Sequence, residues 1–276
     1  MPKKLTAAQI ETFREDGYIC PLPCLSPAEA NALRVGLEGF EASSGLSLTA
    51  DLHFKTHLYF AELTALAQHP SILDAVEDLI GPDILVFASN TWIKGPRDGK
   101  YVSWHQDSAY FGLEPHDEVT AWVALSDSTP ESGCMRVIPG SHTEAAHSHV
   151  ETFHADNLLA RGQRIDGIDE ARAVDLTLRA GQFSLHHERA VHGSLANETD
   201  KVRFGYALFY IPAHTRSTIG RRFAWLVRGE DRYGHWNADP MPAGDRDPKI
   251  LAHMRACYDA YVSKSVDQEA ATGMHR

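Results

Sequence analysis

Positive charge is what this sequence is short of: 26 Lys and Arg stand against 37 Asp and Glu, a formal net charge of −11. Nucleic acids and anionic membrane surfaces attract basic faces, so neither is expected as the main partner. An anionic small molecule is not excluded, because a local pocket can oppose the global charge. Long apolar runs are missing too. None reaches the length that spans a bilayer, and none follows the opening Met-Pro-Lys-Lys as a signal peptide requires. Cysteine is sparse: Cys20, Cys24, Cys134 and Cys257 in 276 residues make no disulfide framework. Cys20 and Cys24 have the spacing of half a metal site, but no matching pair follows. The expectation is a cytoplasmic protein with reduced thiols.

What is present suits a folded enzyme-sized unit. Hydrophobic residues at 43% and charged ones at 23% allow a sizeable core and argue against disorder. Sixteen histidines supply both real ligands and decoys. Residues 5–82 read as mostly helical. Thr6 caps one amphipathic segment that Gly17 ends, and Ser26-Pro27-Ala28-Glu29 has the signature of a capped helix start. Pro70 opens a further helix that Gly81-Pro82 stops. From 83 to 212 the pattern changes to short strands, expected at 84–93, 119–125, 134–138, 173–178, 182–185 and 201–211, with turn clusters between them. Many strands without alternating helices indicate a mainly β jelly roll with flanking helices. Residues 213–246, rich in Arg, Gly, Asp and Pro, read as a lid-like loop insertion. A last helix fits 247–264, and 265–276 reads as a loose tail.

The chemistry begins at Ser103-Trp104-His105-Gln106-Asp107. If this stretch is a strand, His105 and Asp107 share a face and converge on one ion. An imidazole and a carboxylate suit iron, zinc or manganese, and one more histidine completes a facial triad with open positions, as in non-haem Fe(II) oxygenases. Alone, a His-x-Asp is more often a turn or surface pair. His142, His147, His149 and His154 lie in a polar segment that reads as a solvated loop. Spacing ranks His192 first as the third ligand, because Gly193 and Ser194 leave room beside its ring, and His187 second.

The ordered set Trp104-His105-Gln106-Asp107, Ile138-Pro139-Gly140-Ser141-His142, His192-Gly193-Ser194 and Arg203 resembles the phytanoyl-CoA dioxygenase family. The resemblance runs from about residue 5 to about 212. It implies a double-stranded β-helix of cupin-like form making residues 1–276 one dioxygenase domain, with Fe(II), 2-oxoglutarate as cosubstrate, and O2. It places the metal on His105, Asp107 and His192, and the cosubstrate's distal carboxylate on Arg203, with Ser194 beside it. Asn90, Trp122 and Lys55 match further cosubstrate-pocket positions. The reaction implied is oxidative decarboxylation of 2-oxoglutarate to succinate and CO2, coupled to oxidation of a substrate C–H bond. Arginine suits the carboxylate as a planar, permanently charged fork, and on its strand it shares a face with Gly205, Ala207 and Phe209, odd company for a surface cation. Because Asp107 is present, a halide has no vacant metal position, which favours hydroxylation over halogenation.

For the substrate, Lys94 either points inward, where it would favour an anionic group, or snorkels to water at its strand end. Trp104, Tyr110 and Phe111 either wall the pocket, cradle a cationic amine, or pack the core. These features suit a small polar metabolite: a 2-aminoethylphosphonate-type compound, an amino acid, or a natural-product intermediate. Two other readings stay open, a cupin-type metal enzyme that does not use 2-oxoglutarate and a non-catalytic sensor domain. Oligomeric state is not readable from the sequence.

Overall fold

The computed structural model describes residues 2–272 apart from 53, 153, 160 and 161, with 262–272 as backbone only. Helix α1 (Ala7–Asp16) starts at Thr6, which forms a reciprocal capping box with Gln9, and ends at Gly17 in the left-handed region. The next segment departs from the helical expectation. Tyr18–Pro23 is a strand, β1, at the edge of a sheet. Pro21 and Pro23 explain both facts, since proline breaks a helix interior and is tolerated on an edge strand. Helix α2 (Pro27–Ser44) has the expected Ser26–Glu29 capping box with Pro27 in its first turn. Helices α3 (Ala61–Ala67) and α4 (Pro70–Ile80) follow.

The strands then build two facing sheets. In chain order they are β2 (Ile84–Lys94), β3 (Val102–His105), β4 (Val119–Ala124), β5 (Met135–Val137), β6 (Val174–Leu176), β7 (Gln182–His187), β8 (His192–Ser194), β9 (Arg203–Pro212), β10 (Phe223–Arg228) and β11 (Asn237–Ala238). A one-turn helix, α5 (Ser108–Phe111), sits between β3 and β4, and α6 (Pro248–Thr272) ends the described chain. The major sheet has the order β1-β7-β4-β9-β2-β10-β11, and the minor sheet the order β3-β8-β5-β6. Neighbours are antiparallel except β10 and β11. This is a jelly roll with helices covering one outer face, as expected.

The stretch 213–246, expected as a loop, extends the major sheet instead. Phe223-Ala224-Trp225-Leu226-Val227 is a strand-length apolar run, and β10 pairs with β2. Flanking Arg, Gly and Asp residues mask it in composition. The final helix also outruns its expected end at 264, because Lys264, Gln268, Glu269, Ala270 and Ala271 are good helix formers. Residues 273–276 of the expected tail lie outside the described residues. No helix among the described residues is long and apolar enough to cross a membrane.

Strand β9 organises both cores. All ten of its residues are buried, so its alternation selects which core a side chain enters rather than core against water. Phe204, Tyr206, Leu208 and Tyr210 pack against the helical layer with Leu63, Ile72 and Val76; full burial of such side chains contributes roughly 1.5–3 kcal/mol each. The buried hydroxyls are satisfied: Tyr210 Oη donates to Ala67 O at 2.9 Å and Tyr206 Oη lies 2.8 Å from Ser89 Oγ. Ala207 and Phe209 face the other way, joining Phe87, Phe111 and Trp122 between the sheets. Gly205 is required there by contact. A Cβ on it would come within 1.8 Å of Trp122 Cζ2. Gly205→Ala should therefore destabilise the fold by about 1–3 kcal/mol through overpacking, read as a lower urea midpoint at unchanged m-value.

Candidate metal centre

Strand β3 ends at His105, and the chain then turns so that Asp107 opens α5 with helical φ −60° and ψ −33°. The pair therefore converges through a turn, not through strand alternation as the sequence reading supposes. His105 Nε2 lies 3.3 Å from Asp107 Oδ1. Gln106, between them, is buried and holds the turn. Its N–H donates to His149 Nε2 at 3.1 Å, its Oε1 accepts from the His147 N–H at 3.1 Å, and its Nε2 donates to Arg189 O at 2.7 Å. His147 and His149, expected as solvated, thus brace the turn. His142 is buried too, with Nε2 3.1 Å from Arg14 O, and of the four only His154 is exposed.

The third member of the cluster arrives by sheet register. His192 is the direct antiparallel partner of His105, and their ring centroids are 4.1 Å apart. Gly193 lets the strands approach, since a Cβ there would meet Val102 O at 2.9 Å. His105 Nδ1 lies 2.9 Å from Ser103 O and His192 Nδ1 2.9 Å from Ala190 O. Each Nδ1 donates to its carbonyl, leaving both Nε2 lone pairs free to coordinate. Burial, then His105, push His192 down to about 3, so its imidazole is neutral. Burial would raise the Asp107 carboxyl, but His192 and then His105 and His186 outweigh it and hold the group well below the usual carboxylate range. A neutral imidazole and an ionised carboxylate are what a divalent cation needs. One ligand atom from each of His105, Asp107 and His192 lies within 4.8 Å of the others, which fits an iron-type ion with positions left open.

His187, ranked second in the sequence, packs outside against His142, centroids 5.3 Å apart. Its neighbour His186 is the one that faces the site. The His186 ring lies 4.7 Å from that of His192, and its Nε2 is 3.7 Å from Asp107 Oδ2. The signal was available in the pairing: His186 lies opposite Thr120 and shares its strand face with Ser184, which lies opposite Trp122. His186, Thr120 and Trp122 line a cleft between the sheets, together with the three clustered side chains and Trp92, Ser194, Arg203 and Phe209.

Arg203 gives the cleft its charge. It is 3% exposed, its guanidinium lies 5.3 Å over the Trp122 ring, and its Nε is buried without a hydrogen-bond partner. Among the described residues no carboxylate forms an ion pair with it. Burial pushes it down only to about 10, so it stays charged. A buried unpaired guanidinium fits an anionic ligand, above all a carboxylate.

The remaining expected site residues divide. Trp122 and Ser194 line the cleft. Asn90 is half-buried on β2 directly opposite Ala207, a cleft-lining residue, and so lies on the same face of the sheet as the cleft. Lys94 does not reach the cleft. It is fully buried, and its Nζ lies 2.7 Å from Ser194 Oγ and 3.3 Å from Gly133 O and also contacts Leu195 O. Its expected role toward a substrate anion gives way to orienting Ser194. Lys55 is also elsewhere, its Nζ 2.7 Å from Asp239 Oδ2 and 3.0 Å from Phe223 O. Trp104, next to His105 on β3, points away and carries Arg136 5.2 Å over its ring. Tyr110 stands edge-on 6.1 Å from the His105 ring, and Phe111 packs on Phe87 and Phe209.

Comparison with known proteins follows the same line. The family profile described as phytanoyl-CoA dioxygenase (PhyH) matches residues 13–205. The chain is 29% identical over 193 residues to the probable alpha-ketoglutarate-dependent hypophosphite dioxygenase of Stutzerimonas stutzeri, covering 66% of this chain and 61% of that protein. It is 31% identical over 139 residues to the peroxisomal phytanoyl-CoA dioxygenase of Homo sapiens, covering 49% of this chain and 41% of that one. Both matches span less than two-thirds of the relative's length. Among solved structures, the apo form of ThoJ, described as a non-heme monooxygenase, superposes with a TM-score of 0.84 at 34% identity, over 96% of this chain and 99% of that chain.

Lys94 yields a pH test. Burial, then Arg203, push its ammonium from 10.5 down to about 6. Between these values the unfolded chain binds the proton and the folded chain does not, so stability rises with pH across that interval. Lys94→Met should flatten the slope of unfolding free energy against pH between about 6 and about 10, by at most ~1.4 kcal/mol per pH unit. Urea melts at several pH values measure it.

Proposed function

This chain belongs to the phytanoyl-CoA dioxygenase family, and from that premise we propose that it is an Fe(II)- and 2-oxoglutarate-dependent oxygenase that hydroxylates a C–H bond of a small polar metabolite. His105, Asp107 and His192 hold the iron. Arg203 binds the distal carboxylate of 2-oxoglutarate, and Ser194, oriented by Lys94, stands beside it. Bound there, iron and 2-oxoglutarate supply dioxygen activation, with succinate and CO2 as by-products. The chain's own residues position and shield: Gln106 fixes the Asp107 turn, Trp122 forms the floor under Arg203, and the apolar walls exclude water.

The observation that carries this reading is the unpaired buried Arg203 on the wall of the same cleft as the ligand cluster. A metal enzyme of cupin type without 2-oxoglutarate has no use for that cation. Asp107 occupies the metal position that a halide would take, which supports hydroxylation. The relative from Stutzerimonas stutzeri is named for hypophosphite, a compact phosphorus oxyanion, which supports a small substrate. With Lys94 withdrawn and Arg203 committed to the cosubstrate, no second Lys or Arg among the described residues lines the cleft. The hypophosphite relative keeps 2-aminoethylphosphonate-type compounds among the candidates, beside amino acids and natural-product intermediates.

Anaerobic addition of Fe(II) and 2-oxoglutarate should give the weak visible absorption of the chelate. Arg203→Ala should weaken 2-oxoglutarate binding by roughly 100-fold or more, the loss expected when one partner of a buried charge pair is removed, and leave Fe(II) affinity within a few-fold. Unchanged 2-oxoglutarate affinity in that variant would return the cupin-type reading. In a succinate-release screen, turnover confined to acyl-CoA thioesters would sink the small-metabolite assignment.

A further inference from the structure

Among the described residues, two sets of three His, Cys, Asp or Glu side chains bring ligand atoms within 4.8 Å of one another. One is His105, Asp107 and His192; the other is Asp239, His253 and Cys257. The second set lies away from the cleft, where β11, α6 and the Lys55 segment meet. His253 and Cys257 are one turn apart on α6 and share a face. Asp239, immediately after β11, is buried, and its carboxylate is already oriented. Lys55 Nζ holds Oδ2 at 2.7 Å, and Oδ1 is turned to His253 Nε2 at 2.8 Å. Cys257 Sγ lies 3.4 Å from that same Nε2. The Phe223 ring stands edge-on 4.8 Å from the imidazole and limits its rotation.

An ordinary ion pair accounts for Asp239, His253 and Lys55 but gives no reason for a thiol on the same nitrogen. Metal geometry does. Zn–N and Zn–S bonds of about 2.05 and 2.3 Å at a tetrahedral angle place nitrogen and sulfur roughly 3.5 Å apart, against 3.4 Å here. The imidazole and carboxylate would have to separate by about half an ångström to reach the corresponding N···O spacing. One carboxylate with an imidazole and a thiolate selects zinc-class ions over magnesium or calcium. We propose that Asp239, His253 and Cys257 form a second divalent-cation site, of zinc class, that ties α6 to the edge of the major sheet. On binding, the ion replaces the thiol proton and the proton shared between His253 and Asp239, both of which go to solvent. A fourth position on the half-buried Cys257 side is left for water. Lys55 serves as the residue that holds the carboxylate in its one-oxygen orientation.

Cobalt(II) tests this with the full chain, because only a thiolate site gives a near-ultraviolet sulfur-to-cobalt charge-transfer band. The cleft cluster contains no sulfur. Anaerobic titration should show two equivalents bound per chain, one of them carrying that band, and excess Zn(II) should bleach it. Cys257→Ser and His253→Gln should each remove the band and one equivalent. Asp107→Ala should remove the other equivalent and keep the band. Absence of the band at saturating cobalt overturns the proposal. So does its survival in Cys257→Ser or in His253→Gln, which would mark adventitious binding to a thiol.

Discussion

A guanidinium sealed between two sheets, with no carboxylate among the described residues paired to it, is the constraint on which the rest depends. An uncompensated buried ion costs several kcal/mol even after relaxation, and a plastic interior would let it find water or a partner. This interior does not yield. Strand β9 is held on both sides by β4 and β2, the Trp122 face lies under the charge, and Gly205 admits that ring where any side chain would collide. The cation is kept in place and kept unsatisfied. Such a site is organised before its ligand arrives, which is how a protein avoids spending binding energy on rearrangement.

The same economy appears around the ligand cluster. No ligand is left to set its own orientation. The two imidazoles are fixed through carbonyls on their far nitrogens, and the turn that carries Asp107 through the buried Gln106. Ser194 is fixed by a lysine that never touches the cleft. Two of the cations that a charge count would assign to ligands, Lys55 and Lys94, are spent inside the protein on its own acceptors. That leaves the cleft with a single dedicated positive group, a better basis for selectivity than a diffuse basic lining.

Much of this was legible in the sequence. Capped helix starts at Thr6 and Ser26 are local rules and held. The alternation of Arg203, Gly205, Ala207 and Phe209 against Phe204, Tyr206, Leu208 and Tyr210 announced a strand with two different interiors. The failures share a cause: they turn on partners far away in sequence. Tyr18–Pro23 is a strand only because the β7 edge is there to receive it. Lys94 is withdrawn because the Gly133 and Leu195 carbonyls come to it. His186, and not His187, faces the cleft because of its register with β4. The strand inside 213–246 escaped for a different reason, as charged flanks diluted the apolar run of β10 in composition.

The pairing of β8 with β3 has a consequence for how the protein comes into being. His192 stands 85 residues beyond Asp107 in the chain, and the two meet only when β8 has paired with β3 in the minor sheet. Contacts of such separation form late, because the loop entropy is lost before they return any stabilisation. No fragment emerging early from the ribosome can hold the ion on this ligand set. Metal capture on these residues would therefore follow that pairing, and a bound ion would draw the equilibrium toward the folded structure by mass action.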